Sequence, residues 1–377
     1  MLSYRAHGHQ LHERLPADDY EHGGTCGVQD TPPGSGALAL AARIDGAHAG
    51  SWETARVDDR DLLVVWSVRG APLGIARTDL PVFTSGVCPA DEDSWWALLG
   101  GQAKLKGTDL PPSGAVQRVA AEVTALLRSG PMTKADISTA LRERELLPAT
   151  LMPYCQGCGV YHVGEQLLRA SGLMGRYCFG PVIDGSATLV RLDEWIGDGM
   201  RMGASKRDAK ELLKRFLLLY GPADAALFSA WTGIGLDDAR ARFERMASEL
   251  VPVIVDGTRR WLPEDEVDRF RSTPKIKGVR LLPPSDPFLQ QRDRELLVPD
   301  AAQRKVVWKA LGAPGAVLVD GHVAAVWRPQ KRGTRFTLKV EAFGSLSAKV
   351  RSAIDDEAAI VGAVRGCDQV EVTITGD

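Results

Sequence analysis

The chain has 377 residues, of which 44% are hydrophobic and 25% charged, a balance typical of a globular protein with roughly two to four domains. It contains no apolar run of about 18 residues and its first residues lack an apolar signal core, so we expect a cytoplasmic protein that is neither exported nor membrane-spanning. Six cysteines are too few for a disulfide framework and suit a reducing compartment.

The net charge of −2 by itself argues against a nucleic-acid-binding protein, but the charge is unevenly distributed. Residues 201–377 hold 29 Lys and Arg against 24 Asp and Glu, whereas residues 1–200 hold 17 against 24. A polyanion would therefore be bound mainly by the second half of the chain.

Residues 1–113 are predicted to form the first unit. The segment Pro32–Arg43 predicts a helix with Pro at its first position, and Asp61–Ala76 predicts two strands on either side of a turn. Helices followed by a strand pair indicate a winged helix, although a loosely defined one.

Residues 114–200 repeat this order more clearly. Ala115–Arg128 is amphipathic, and a near capping box of Thr133 and Asp136 predicts the start of a second helix. A third helix is expected before Tyr177–Arg191, where apolar runs flank an Asp-Gly turn. The pattern predicts a second winged helix.

Residues 201–272 give the strongest pattern. Lys206–Tyr220 places apolar residues on one helical face, and Gly-Pro follows it. Two further helices, Ala223–Thr232 and Leu236–Leu250, precede a hairpin around Asp256-Gly257. This order predicts a third winged helix, an arrangement typical of nucleic-acid binders.

In residues 273–377 the sequence pattern changes from mainly helical to mixed helix and strand. A hairpin around Asp320-Gly321, a strand at Arg335–Ala342, a helix at Leu346–Val364 and a strand at Gln369–Ile374 indicate a small antiparallel sheet with one helix packed on it. The predicted fold class is therefore α+β, with three tandem winged helices and a C-terminal antiparallel β-rich domain.

Several residues could carry chemistry. Cys155, Cys158 and His162 supply three of the four ligands of a structural zinc, with Cys178 as a candidate fourth, but we favour a buried reduced cluster. Asp286, Asp293 and Glu295 could act as acids or bases, although we expect turn and surface residues. No Ser/His/Asp set, P-loop or GxGxxG motif is present.

Gln29 and Asp30 place an amide beside a carboxylate just before a predicted helix. Asp30 or Thr31 can cap that helix, with Pro32 as its first residue. Alternatively, Gln29 and Asp30 hold and polarise a water beside a developing sugar cation. The pattern alone favours the cap.

Basic residues recur beside aromatic ones. Any one of these groups is usually a solvated face, but a wing tip and a glycine-bearing hairpin are good positions for phosphate contacts. The candidates for DNA binding are Arg69, Lys206, Arg207, Arg259, Arg260, Lys331, Arg332 and Arg335.

Nearly end to end, the chain resembles the AlkZ-like (YcaQ-type) winged-helix DNA glycosylases. The resemblance is carried by VQDTPPGSGALALAAR (Val28–Arg43), VWSVRGAP (Val65–Pro72), CQGCGVYHVGEQLLR (Cys155–Arg169), LLLYGPADAALFSAWTGI (Leu217–Ile234), VRLLPPSDPFLQQRDRELLVPD (Val279–Asp300) and PGAVLVDGHVAAVWR (Pro314–Arg328).

This resemblance implies a C-shaped scaffold around double-stranded DNA and monofunctional excision of N-alkylated purines, including bulky adducts or crosslinks made by natural-product genotoxins. It implies no metal or organic cofactor, and we expect a monomer associated with the nucleoid. The alternative is a non-catalytic winged-helix DNA-binding protein, either a regulator or a damage-sequestering homologue.

The family carries a Gln–aliphatic–Gln or Gln–aliphatic–Asp triplet at its active site. This chain has Gly27-Val28-Gln29 at the corresponding place, followed by Asp30. The resemblance therefore assigns Gln29 as the second polar residue of the triplet, and we expect Asp30 to activate water or to stabilise the sugar cation.

Overall fold

The computed structural model describes residues 1–101, 105, 108–157, 159–197, 205–332, 335–367 and 369–376, without the side chains of Lys331, Arg332 and Arg335. The chain forms two compact units. The first contains Met1–Leu62, Arg215–Ala223 and Leu250–Asp377, and the second contains Leu63–Lys214 and Asp224–Glu249. The predicted division at residues 113, 200 and 272 stays a prediction.

Most helices of the described residues are short, and three of them have 15 or more residues. The α-helices are Leu2–Gly8 (α1), Tyr20–Gly23 (α2), Ser35–Ala41 (α3), Ser51–Glu53 (α4), Leu80–Phe83 (α5), Glu92–Leu98 (α6), Pro112–Leu126 (α7), Lys134–Glu143 (α8), Glu165–Ser171 (α9), Leu192–Ile196 (α10), Lys206–Tyr220 (α11), Ala225–Thr232 (α12), Leu236–Arg245 (α13), Val267–Ser272 (α14), Arg294–Leu297 (α15), Ala301–Val307 (α16) and Ala348–Val364 (α17). Each of them is too short or too polar to span a bilayer.

The strands of the described residues form small sheets and hairpins. They are Val28–Gln29 (β1), Leu62–Trp66 (β2), Pro72–Ala76 (β3), Met132–Thr133 (β4), Tyr154–Cys155 (β5), Val160–Tyr161 (β6), Tyr177–Ile183 (β7), Ser186–Arg191 (β8), Leu250–Val255 (β9), Thr258–Pro263 (β10), Val279–Leu282 (β11), Gly315–Val319 (β12), His322–Arg332 (β13), Arg335–Ala342 (β14) and Gln369–Thr375 (β15).

The second unit contains the elements predicted for residues 114–200. α8 begins with the expected capping box, in which the Thr133 side chain accepts from the backbone N–H of Asp136 and the Asp136 carboxylate accepts in return. β7 and β8 form the predicted hairpin around Asp184-Gly185. Five of the strands in this sheet run in the order β3-β2-β7-β8-β4, so the strand pair predicted for the first winged helix lies beside the second hairpin.

The order helix, helix, helix, hairpin is confirmed over residues 206–263. α11 has the predicted bounds and buries Leu212, Phe216 and Tyr220 on the predicted face. Leu219, outside that face, is also buried. α12 and α13 belong to the second unit and the β9–β10 hairpin to the first. The number of winged helices stays a prediction.

The C-terminal sheet corrects the prediction in two respects. Its order is β11-β12-β13-β14-β15, so it includes a strand at Val279–Leu282 that the sequence pattern did not predict. β14 and β15 pair in parallel, whereas we predicted an antiparallel sheet. The 17 residues of α17 cross between these two strands, and a helical crossover returns the chain in its original direction.

Two buried ion pairs hold the first unit together. Arg43 donates through both terminal nitrogens to Asp286 at 2.8 and 2.9 Å, and Arg5 donates likewise to Asp293. Asp286 does lie in a turn, but the expectation that it and Asp293 are surface residues is wrong, since both are buried. A carboxylate removed from water must be paired, and each aspartate has its own arginine.

Candidate active site and nucleic-acid-binding residues

Gln29 and Asp30 lie between β1 and α3. Gln29 ends β1, and α3 begins only at Ser35, with Gly34 as its N-cap at a left-handed φ of 87°. The predicted helix start at Pro32 is therefore wrong. Gly34 adopts a conformation that most side chains avoid, and this turn delays the helix.

Asp30 is connected to the start of α3 through one oxygen. Its Oδ1 accepts from the backbone N–H of Gly34 at 2.7 Å and of Gly36 at 3.0 Å. It therefore caps the helix from four residues before its N-cap, rather than as the N-cap itself. Within the described part of the chain, Oδ2 of Asp30 and the half-buried amide of Gln29 have no hydrogen-bond partner, so both can bind a water or a substrate.

The surroundings of Asp30 shift its titration. Burial raises the pKa of the Asp30 carboxyl above its usual range. The N–H groups of Gly36 and Gly34 oppose that rise, and so does the charge of Arg56, whereas Glu53 adds to it. A carboxylate with a raised pKa is a stronger base toward water.

Arg56 and Glu53 are site residues that the sequence pattern missed. The Arg56 guanidinium is buried and pairs with Glu53 at 2.8 Å. Arg56 belongs to a π-helical turn, Thr54–Asp58, which follows α4. These two residues follow Asp30 by more than twenty positions, so no local spacing connects them to it.

Gly27 stands at the place of the family's first glutamine and has a φ of 63°. Few residues other than glycine adopt this left-handed conformation without strain. A glutamine can adopt this conformation at some cost in strain, as Gln10 does at a φ of 54° in this chain, so the departure from the triplet is above all the loss of one amide side chain.

The hairpin β9–β10 places the two arginines that were predicted to contact phosphate on opposite faces of one strand. Arg259 is exposed and lies directly opposite Ile254, which is 65% exposed. Arg260, on the other face of the strand, donates to Asp293 at 2.9 Å and is largely buried. Only Arg259 is placed to contact a phosphate, because Arg260 is committed to a structural ion pair.

The other predicted DNA-binding residues differ among themselves. Lys206 and Arg207 are exposed in the first turn of α11. Arg69 is half-buried and donates to the carbonyl of Trp231 near the end of α12, a bond that helps to fix this helix end. Lys331, Arg332 and Arg335 occupy the adjoining ends of β13 and β14, but their side chains lie outside the described part of the structure.

The cysteine cluster lies on the small hairpin β5–β6. Cys155 belongs to β5, and Nδ1 of His162 lies 2.7 Å from the carbonyl oxygen of Val163. The bond to Val163 and the proximity of Cys155 raise the pKa of His162. Cys158 lies outside the described residues, and within those that are described no three His, Cys, Asp or Glu form a metal-binding group.

The fold agrees with that of a known family. The family model described as DNA glycosylase AlkZ-like matches residues 23–364, and the chain belongs to this family. Its solved relative, the Streptomyces sahachiroi DNA glycosylase AlkZ, superposes with a TM-score of 0.76 at 22% identity, covering 99% of this chain and 98% of that one. The mixed α and β fold is thereby shown.

A second comparison, of amino-acid sequences, gives a relative whose reaction is known. The chain is 25% identical over 364 residues to an interstrand DNA cross-link repair glycosylase from Streptomyces sahachiroi, which covers 93% of this chain and 92% of the relative. The similarity therefore extends over nearly the whole of both proteins.

Proposed function

We propose that this protein is a monofunctional DNA glycosylase that excises N-alkylated purines, with Asp30 and Gln29 at the reacting bond. The membership of the chain in the family supports the reaction class. The observation that carries the assignment of residues is the carboxylate of Asp30, which is held by two N–H groups on Oδ1 while Oδ2 has no partner among the described residues.

Excision of an alkylated purine requires few catalytic side chains. An N7- or N3-alkylated purine carries positive charge, so the bond from its ring nitrogen to C1′ of the sugar breaks with the electron pair moving to the base. The sugar becomes cationic, and the negative charge of Asp30 stabilises it. Water then attacks C1′ and transfers a proton to Oδ2, while the Gln29 amide orients that water.

The experiment is base release from a duplex carrying one N7-methylguanine, followed by heat and alkali to cleave the abasic strand. Asp30→Asn is the informative variant, because an asparagine oxygen can still accept from Gly34 and Gly36 while the negative charge is lost. We expect its excision rate to fall by about 10²- to 10⁴-fold at unchanged Tm. Gln29→Ala should also lower excision and leave DNA affinity nearly intact.

Asp58→Asn is the matched control, since it removes an exposed carboxylate from the same region. An Asp30→Asn variant with wild-type excision would limit Asp30 to capping α3. Binding of the duplex by the wild-type protein without base release, for methyl adducts and for an interstrand crosslink alike, would favour the non-catalytic DNA-binding alternative. Gly27, where the family has a glutamine, is the feature that keeps this alternative open.

A further inference from the structure

Two half-buried arginines of the first unit lack the partner that its fully buried arginines have. Arg5 and Arg43 are each paired with an aspartate. Arg294 is the first residue of α15 and Arg292 lies two positions before it, and both are half-buried. Neither side chain forms a hydrogen bond or an ion pair with another described residue, and the Nε of Arg292 is enclosed without an acceptor. A cation that is partly removed from water without a counter-ion destabilises a fold.

The carboxylates nearest in sequence do not balance these two arginines. Asp293 lies between them, but its oxygens accept from Arg5 and Arg260. Glu295 follows them and is exposed, and within the described part of the chain it forms no ion pair with either. The positive charge of the pair is therefore left for an anion from outside the chain.

The electrostatics of the pair agree with this view. Burial lowers the pKa of Arg292, and the charge of Arg294 lowers it further, although Tyr220 opposes the change. Burial also lowers the pKa of Arg294. Both groups stay protonated at neutral pH, since a guanidinium loses its proton only in strong alkali. Two positive charges that are close enough to repel each other attract one anion jointly.

Trp308 holds Arg294 in an orientation that suits an oxyanion. The guanidinium carbon of Arg294 lies 4.9 Å from the centre of the Trp308 ring. The indole N–H donates to the carbonyl of Leu289 at 2.9 Å, which fixes the ring. Stacking occupies one face of the guanidinium and leaves the N–H groups at its edge available. These edge groups are the ones that bind two oxygens of a phosphate.

We propose that Arg292 and Arg294 together bind one phosphate group of the DNA backbone. The chemistry of the pair selects a phosphate, and the family of the chain makes DNA its source. The inference rests on the proposed function for the identity of this ligand, but it does not require that a base is excised. It adds a phosphate contact whose two cations are oriented by the fold to those proposed for exposed side chains.

The first test measures DNA affinity against salt concentration by fluorescence anisotropy, with the full-length protein and duplexes with and without one N7-methylguanine. In Arg292→Met/Arg294→Met we expect affinity for both duplexes to fall about tenfold. The slope of log binding constant against log salt concentration should become less steep by about one, because one phosphate is released. Lys349→Gln, which removes an exposed charge from α17, is the control and should leave the slope unchanged. An unchanged slope in the double variant, or one less steep by about two, would overturn the proposal.

The second test separates a phosphate ligand from a structural role. Without added phosphate, the double variant should have a Tm equal to or above that of the wild type, because it lacks two unbalanced cations. Inorganic phosphate should raise the Tm of the wild type more than that of the variant, at an ionic strength matched with chloride. A clearly lower Tm of the variant would assign the arginines to the fold and overturn the proposal. Loss of the phosphate effect with an unchanged DNA slope would assign the site to free phosphate and overturn its assignment to DNA.

The outcome for this site is independent of the outcome for excision. Base release by the wild-type protein, with an unchanged salt slope in the double variant, would reject the phosphate site and keep the proposed function. The expected change of slope, in a protein that binds the duplex without releasing the base, would keep the phosphate site and reject the glycosylase.

Discussion

Asp30 and Asp286 lie in similar local contexts but have different surroundings. Asp30 follows a strand and Asp286 follows a proline-rich turn. Each accepts a hydrogen bond from a backbone N–H at the start of a helical segment. Asp286 also receives both terminal nitrogens of Arg43, so its two oxygens are occupied. Asp30 uses Oδ1 alone and has no arginine hydrogen-bonded to it among the described residues.

The pKa values of Asp30 and Asp293 show the same contrast between an unpaired and a paired carboxylate. For Asp293, burial acts to raise the pKa, but the hydrogen bonds and charge of Arg5 outweigh burial, so its pKa is lowered. For Asp30, burial outweighs the neighbouring donors and the pKa is raised. A carboxylate that is paired with guanidinium groups is a weaker base toward water than one that is not.

The largest predicted effect is on stability. Asp286→Ala should lower the free energy of unfolding by about 3–5 kcal/mol, because Arg43 would be left buried without its counter-ion. Asp30→Ala should cost only about 0.5–2 kcal/mol, the range for loss of a helix cap. Chemical denaturation followed by circular dichroism measures both, and equal losses would remove the distinction between the two aspartates. An Arg43→Met/Asp286→Leu double variant should recover much of the loss.

The two arginines of β10, Arg259 and Arg260, allow the same comparison between an exposed and a paired charge. Arg260→Ala should lower the free energy of unfolding by about 1.5–3 kcal/mol, since a charged hydrogen bond to Asp293 is lost while Arg5 remains. Arg259→Ala should leave stability unchanged and weaken binding to damaged and undamaged duplexes alike. The slope of log binding constant against log salt concentration should become less steep by about one. Fluorescence anisotropy at several salt concentrations tests this, and an unchanged slope would contradict a phosphate contact.

Gly36→Ala should disturb Asp30 without changing any charge. The new Cβ would lie 2.6 Å from the Trp52 ring, so the ring or α3 must shift, at about 1–3 kcal/mol of stability. Because Gly36 also donates to Asp30, excision should fall with it. Gly344→Ala is the matched control, since nothing lies within 4 Å of its added Cβ. Similar Tm values for the two variants would show that this contact is not tight.

The smallest effect is a separation of activity from stability at low pH. The proposed role of Asp30 requires its ionised form, so we expect excision to decline as the pH falls through the pKa of Asp30, which lies above the usual value of about 4. The pKa of Asp293 is lowered, so its stabilisation is present above about pH 4 and is lost only as the pH falls through the lower folded value. Rates and Tm measured across this range should decline in that order, and loss of both together would contradict it.

Local features of this protein could be predicted well. The hairpins at Asp184-Gly185 and Asp256-Gly257, the capping box at Thr133 and the bounds of α11 follow from turn chemistry and helical periodicity, which act over a few residues. The prediction that α3 begins at Pro32 is wrong because Gly34 takes a left-handed conformation, which the sequence pattern around Pro32 does not indicate. β11 was missed because its short apolar run is covered by partners far along the chain.

The family, the hairpins and the longer helices could be predicted from the sequence, since these depend on local pattern and on long shared motifs. Which charged residues form buried ion pairs became clear from the three-dimensional structure alone. Arg43 and Asp286 are 243 positions apart, and Arg5 and Asp293 are 288 apart. Pairing over such distances depends on which segments the fold brings together and on how much water it removes, and neither is encoded in local spacing.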